Sequence, residues 1–207
     1  VGPQGSWEEL YRSSAVSKLP WYTAELDPDL ATALRTHGPL EGRLLDLGTG
    51  PGTHAVGLAR LGYDVTATDI SRSAITKARS RATSSGVAID FRVDDILESK
   101  LEDRAFDVIV DRGMFHTLEP RDRPRYVSTV HRVLRPRGLL HIKTFSNKEP
   151  GDWGPYRLSP RELRSYFEKS FDLVSLGETV FQGGVRPAPR ALLATFLRSE
   201  VARSGEP

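Results

Sequence analysis

"LLDLGTGPGTHA", Leu44 to Ala55, reads in two registers. Counted from Gly50 it gives G-x-G-x-x-A (Gly50, Gly52, Ala55), the pattern in which a dinucleotide pyrophosphate rests on a helix N-terminus. Counted from Asp46 it gives D-x-G-x-G-x-G (Asp46, Gly48, Gly50, Gly52), with an acid at the end of a strand. Both registers place glycines at a strand-to-helix turn, where backbone approaches a ligand closely. They differ in charge. A pyrophosphate is disfavoured beside Asp46, whereas a cofactor with an ammonium and a positive centre, such as S-adenosylmethionine, is favoured there.

Outward from this stretch, short apolar strands alternate with helical segments, the pattern of a parallel sheet covered by helices. Strands are expected at Arg43–Leu47, Tyr63–Asp69, Ala88–Val93, Phe106–Asp111, Gly138–Phe145, Phe171–Glu178 and Ala191–Arg198. Helices are expected at Thr53–Leu61, between the Ser71 N-cap and Gly86, over Arg123–Leu134, and from Ser159-Pro160 with a Ser159/Glu162 capping box. "TVFQGGVRPAPR" is too short and too rich in Gly and Pro for a crossover helix, so the seventh strand is expected antiparallel beside the sixth. Ahead of the first strand, residues 7–40 are expected to form a helical cap, broken at "LPWY" because Pro20 turns Leu19 away from helix. The whole chain, 1–207, is read as one domain; residues 1–6 ("VGPQGS") are set aside as a candidate cloning remnant.

Composition narrows the class. A chain of 207 residues with 38% hydrophobic and 27% charged residues suits a globular domain. There is no cysteine, which removes disulfides, a thiol nucleophile and cysteine-based zinc sites together. His37, His131 and His141 have no ligand spacing, so no metal is expected. With a net charge of +2, interleaved in sign, no nucleic-acid partner is expected. No run of about 20 apolar residues is present, so no membrane span is expected, and the location expected is the cytoplasm. The oligomeric state expected is a monomer or weak homodimer.

Asp69 ends the second strand, twenty-one residues after Gly48. An acid there hydrogen-bonds ribose hydroxyls of NAD or of an adenosyl cofactor alike. No Tyr-x-x-x-Lys pair of a short-chain dehydrogenase is found. With "LLDLGTGPG", "VTATD", "VDDIL", "FDVIVDRGMFH" and "LRPRGLLHIKTF" in this order, the chain resembles the class I S-adenosylmethionine-dependent methyltransferases from about Trp7 to Arg198. "PWY", "DRGMFH" and "GPYRLSPRELRSYF" are similar to the compact small-molecule branch of thiopurine and tellurite-resistance methyltransferases. The resemblance implies a Rossmann-like, doubly wound α/β sheet of order 3-2-1-4-5-7-6.

It also implies site residues. Asp46, Gly48, Thr49, Gly50 and Gly52 would hold the methionine part of S-adenosylmethionine and Asp69 its ribose, with Ile70 also in the cofactor site. Asp95 and Ile96 would clamp the adenine, with Asp94 as the other candidate. Asp111, Arg112 and Trp21 would complete the cofactor site. Tyr22, Phe115, His116, Phe145, Trp153, Tyr156 and Arg157 would surround the acceptor. His116 is a candidate general base, since an imidazole with a pKa of about 6.5 suits that task; the other reading is a packed structural histidine. The expected reaction is methyl transfer to a small sulfur, nitrogen, oxygen or halide/chalcogen nucleophile, leaving S-adenosylhomocysteine. The rival readings are an NAD-dependent reductase in the Gly50 register, and a binding module for S-adenosylmethionine without catalysis.

Overall fold

The structure is a computed structural model that describes residues 4–200, with side chains described from Trp7 onward. Seven strands are arranged in one sheet: β1 (Arg43–Leu47), β2 (Asp64–Asp69), β3 (Asp90–Val93), β4 (Phe106–Arg112), β5 (Leu134–Phe145), β6 (Phe171–Val180) and β7 (Arg190–Arg198). Their order is β3-β2-β1-β4-β5-β7-β6, with β7 antiparallel to both neighbours, as the sequence implied. The helices are α1 (Gln4–Ser13), α2 (Pro28–His37), α3 (Thr53–Arg60), α4 (Arg72–Ser85), α5 (Arg123–Val133) and α6 (Pro160–Phe167). No helix among the described residues is long and apolar enough to cross a membrane.

The period-2 alternation of the central strands divides the core into two layers. Leu44, Val65, Ala67, Val108 and Val110 face α2, α3 and α4. Leu45, Leu47, Ile109, Leu140 and Ile142 face α5 and α6. Phe167, Phe171 and Phe196 are fully buried on the second face, the first and last stacked at 4.6 Å. Each such side chain contributes about 1.5–3 kcal/mol by burial. Asp46 lies one residue from Leu45 and Leu47, so it projects into the α3 layer. Asp111 follows Val110 and projects into the α5 layer.

The caps expected from sequence are present. Ser71 accepts the Ala74 N–H, Gly86 closes α4 in the left-handed region, and Ser159 and Glu162 form the capping box of α6. Several boundaries differ by one or more residues, three of them instructively. β3 begins at Asp90 rather than Ala88. β5 begins at Leu134, because a fully buried Leu134 pairs with Phe106 ahead of the Arg135-Pro136 step, which disfavours further helix. α1 begins at Gln4, inside the stretch set aside as a remnant. The cap otherwise follows its pattern: α1, a short 3-10 turn at Val16–Lys18, an extended Leu19, then α2.

Candidate functional site

The carboxyl ends of β1, β2 and β4 lie side by side, Leu47 pairing with Thr68 and with Asp111. The glycine loop rises from this edge into α3. Gly50 has φ +53° and a Cβ there would come within 2.7 Å of the Tyr11 hydroxyl; Gly52 has φ +78° and a Cβ would meet Ala78 of α4 at 2.8 Å. Only glycine fits a left-handed backbone with a neighbour that close. Asp46 accepts from Thr49 Oγ1 at 2.6 Å. Asp69 accepts the Gly50 N–H and the Ser71 N–H, each at 2.9 Å, tying loop to strand.

Asp46, Asp69 and Asp111 are all nearly or fully buried, and none has an ion-pair partner among the described residues. Burial pushes the Asp46 carboxyl up to about 7, the Thr49 hydrogen bond opposing and the charges of Asp111 and Asp69 adding to it. Burial likewise raises Asp69 and Asp111 to about 6. A desolvated carboxyl at the carboxyl edge of a sheet favours a cationic neighbour.

The turn after β4 is organised by Asp111, which accepts from Met114 N (2.7 Å), Phe115 N (3.0 Å) and the Tyr126 hydroxyl (2.8 Å). The His116 ring packs against Phe145 and Phe181, and its Nδ1 accepts the Phe145 N–H at 2.8 Å. Burial lowers its pKa to about 3, with the Arg112 and Arg123 charges adding. The neutral ring therefore carries its proton on Nε2 and has no lone pair left for a substrate proton. Of the two expectations for His116, this geometry favours the packed ring, a support for the start of the loop after β5.

Arg112 turns toward the cap instead of outward. It donates to Asp27 at 2.8 Å, to the Trp21 carbonyl at 3.3 Å and to the Gln182 carbonyl. Fully buried Lys143 of β5 donates to both Asp27 oxygens (2.9 and 2.8 Å) and to Asp29 (2.7 Å), which also accepts from Thr179. Lys143 and Arg112 hold Asp27 below the usual carboxylate range against the opposing effect of burial. Two acids and two cations thus latch the cap onto β4, β5 and the β6–β7 turn.

Other expected residues are distributed as follows. Trp21 lies edge-on to Trp7 over the α1–α4 side, next to Tyr11. Tyr22 is held by Arg81 of α4, which lies over its ring at 5.5 Å and bonds its hydroxyl at 3.2 Å. Phe115 is corrected, since it is fully buried among Tyr126, Tyr166 and Phe167 and serves the core. Phe145 and Trp153 meet edge-on at 5.6 Å, beside Phe181. The Tyr156 N–H bonds the His116 carbonyl and its hydroxyl bonds Glu119. Arg157 donates to the Trp153 carbonyl at 2.8 Å. Asp95 caps the turn at buried Ile96, accepting from Leu97 N, whereas Asp94 Oδ2 is buried without a partner and so offers the freer acceptor.

Sequence reasoning missed Glu8 and Tyr11 of α1. Glu8 accepts from Ser71 and Ser73 and lies well below the usual carboxylate range through those hydrogen bonds. The Trp7/Tyr11 spacing on one helical face was the available signal. Lys143 was missed as well, although a lysine inside the apolar run "GLLHIKTF" marks a buried charge. Phe181 carried no signal, because the β6–β7 turn decides its place.

Residues 44–138 match the family described as methyltransferase domain. The chain is 28% identical over 173 residues to the 2-heptyl-1-hydroxyquinolin-4(1H)-one methyltransferase of Mycobacteroides abscessus, covering 80% of this chain and 76% of that protein. It is 29% identical over 190 residues to the EEF1A lysine methyltransferase 2 of Homo sapiens, covering 84% and 76%. A solved structure described as "Conversion of a Disulfide Bond into a Thioacetal Group during Echinomycin Biosynthesis" superposes with a TM-score of 0.84 at 26% identity, covering 95% of this chain and 93% of that one. Residues 44–138 are a methyltransferase domain, and the chain has the fold of the class I S-adenosylmethionine-dependent methyltransferases. S-adenosylmethionine is therefore the cofactor, and the dinucleotide register and the non-catalytic reading both give way. The residues fit the group: the desolvated Asp46 carboxyl beside the glycine loop, a glycine turn no side chain could replace, and an orphaned Asp94 oxygen of the kind an adenine amino group satisfies.

Proposed function

We propose that this methyltransferase acts on a small molecule whose reacting atom is already nucleophilic, so that the protein supplies no base. The observation that carries this reading is the His116 ring, whose Nδ1 is taken by the Phe145 N–H. The cofactor supplies a methyl group on a sulfonium, a good leaving group. The chain's part is alignment and exclusion of water, which is worth roughly 7–11 kcal/mol when geometry is ideal. Asp46 and Asp69 orient the cofactor through the glycine loop, with Asp94 or Asp95 and Ile96 at the adenine. Phe145, Phe181 and Trp153 offer an apolar, aromatic wall for the acceptor. The loops after β4 and β5 (113–122 and 146–159) are short, which favours a small acceptor.

Two similar proteins are named for small molecules, one for a hydroxyquinolone and one for conversion of a disulfide bond into a thioacetal group. The human relative, named for a protein lysine, favours a second reading with a protein acceptor. A turnover screen with thiols, hydroxyquinolones, phenols, halides and a lysine peptide separates them. Release of S-adenosylhomocysteine is expected with thiols or acidic hydroxyls, at rates that follow the acceptor's own ionisation. Turnover confined to the peptide sinks the small-molecule reading. A rate limb that stays near one pH for every acceptor and vanishes in H116Q sinks the base-free one.

A further inference from the structure

The first turn of α5 carries charge in the reverse of the usual order. A helix N-terminus is partially positive and favours acids. Here Arg121, Arg123 and Arg125 surround it, the first turn holds no acid, and Asp122 at the N-cap makes no side-chain capping bond. Arg125 reaches Glu98 at 3.6 Å on the surface. Arg123 is only 5% exposed and forms no ion pair among the described residues. Its guanidinium lies 5.1–5.5 Å from the rings of Tyr156, Tyr166 and Phe115, and one nitrogen donates to the Tyr166 hydroxyl at 3.2 Å.

Nε and Nη2 of Arg123 are buried without a hydrogen-bond partner. These two share one edge of the guanidinium, the edge that holds a planar oxyanion by two parallel bonds. The nearby carboxylates are already engaged, Glu162 by Ser159 and Glu119 by the Tyr156 hydroxyl. Arg157, next to Tyr156 in the chain, also has an orphaned buried Nε and no carboxylate partner among the described residues. Aromatic faces offset part of the cost of a buried cation but leave its N–H groups unmet.

We propose that Arg123 is an oxyanion subsite, anchoring a carboxylate or phosphate group of the methyl acceptor. This rests on the small-molecule reading above. Tyr156 is its cover, held by the Glu119 bond and by its N–H to the His116 carbonyl, so the subsite adjoins the turn after β4.

The test is calorimetry on the intact protein, with and without S-adenosylhomocysteine, titrated separately with inorganic phosphate and with benzoate. Saturable binding of at least one anion is expected. R123Q should weaken it tenfold or more and R123K by less, with S-adenosylhomocysteine affinity unchanged within twofold. Y156F, which frees the cover, should tighten it. Tighter benzoate assigns a carboxylate, and tighter phosphate a phosphoryl group. The proposal is overturned if neither anion saturates the wild type, or if R123Q binds as well as the wild type. Should R123Q not fold, unchanged affinity in both R123K and Y156F overturns it. An anion that binds at Arg123 without competing with any accepted methyl acceptor removes the acceptor assignment. Turnover restricted to a lysine peptide, with anion binding intact, instead removes the small-molecule reading.

Discussion

At the residue scale, Asp46 couples protonation to the cofactor. Its carboxyl is raised to about 7 by burial, so at pH 6 about a tenth of it is ionised. A cationic ligand needs the carboxylate. Affinity for S-adenosylmethionine should therefore rise about tenfold from pH 6 to pH 8 and then level off, with proton release on binding near pH 6. Calorimetry in buffers of different ionisation heat reads both, and D46N should bind more weakly and lose the slope. A slope unchanged in D46N would assign the proton elsewhere. His116 makes a contrasting prediction. H116A removes the acceptor of a buried N–H and leaves a cavity, so it should cost about 2–4 kcal/mol in denaturant unfolding. The shape of the kcat–pH profile should stay as in the wild type, because a ring lowered to about 3 is not what titrates near neutrality. Both residue types were legible in sequence. The difference between a base and a packed ring was not, because it depends on a Phe145 N–H twenty-nine residues away.

At the element scale, the cap is latched to the sheet by Asp27 and Asp29 of the α2 start against Lys143 of β5 and Arg112 of β4. Removing one partner of a buried ion pair leaves the other charge uncompensated. K143M should therefore destabilise the protein by about 3–5 kcal/mol, read from the urea midpoint at constant m-value. Adding D27N to K143M should recover part of that loss; an additive double mutant would show the two residues to be uncoupled. The elements themselves were legible, because caps, glycines and apolar periods are local signals. The latch was not, since its members lie as far apart as residues 27 and 143 and only the sheet order brings them together.

At the scale of the whole molecule, two sets of buried groups oppose each other in pH. Asp46, Asp69 and Asp111 are raised by burial and keep protons that the unfolded chain releases, so their contribution to stability falls as pH rises from about 4 to 7. His54 and His116 (about 3) and His141 (about 4) are lowered by burial and stay neutral where the unfolded chain is protonated, so theirs grows as pH rises toward about 6.5. The free protein should show little net slope between pH 4.5 and 6.5. A bound cationic cofactor ionises the acids and leaves the histidine slope exposed. The Tm gain from S-adenosylmethionine in scanning calorimetry should accordingly grow from pH 5 to pH 7.5, and a pH-independent gain would refute the coupling. The sequence alone determined the seven strands, the antiparallel last strand and the glycine loop with its acids, since these follow from apolar period, turn chemistry and the spacing of Asp46 from Gly48, Gly50 and Gly52. Only the tertiary structure decided that Phe115 is core, that Tyr22 faces Arg81, that α1 covers the loop through Tyr11, and that Arg123 is buried with no ion pair among the described residues. Burial and partnership arise when distant segments meet, and no local pattern in the chain encodes which of them do.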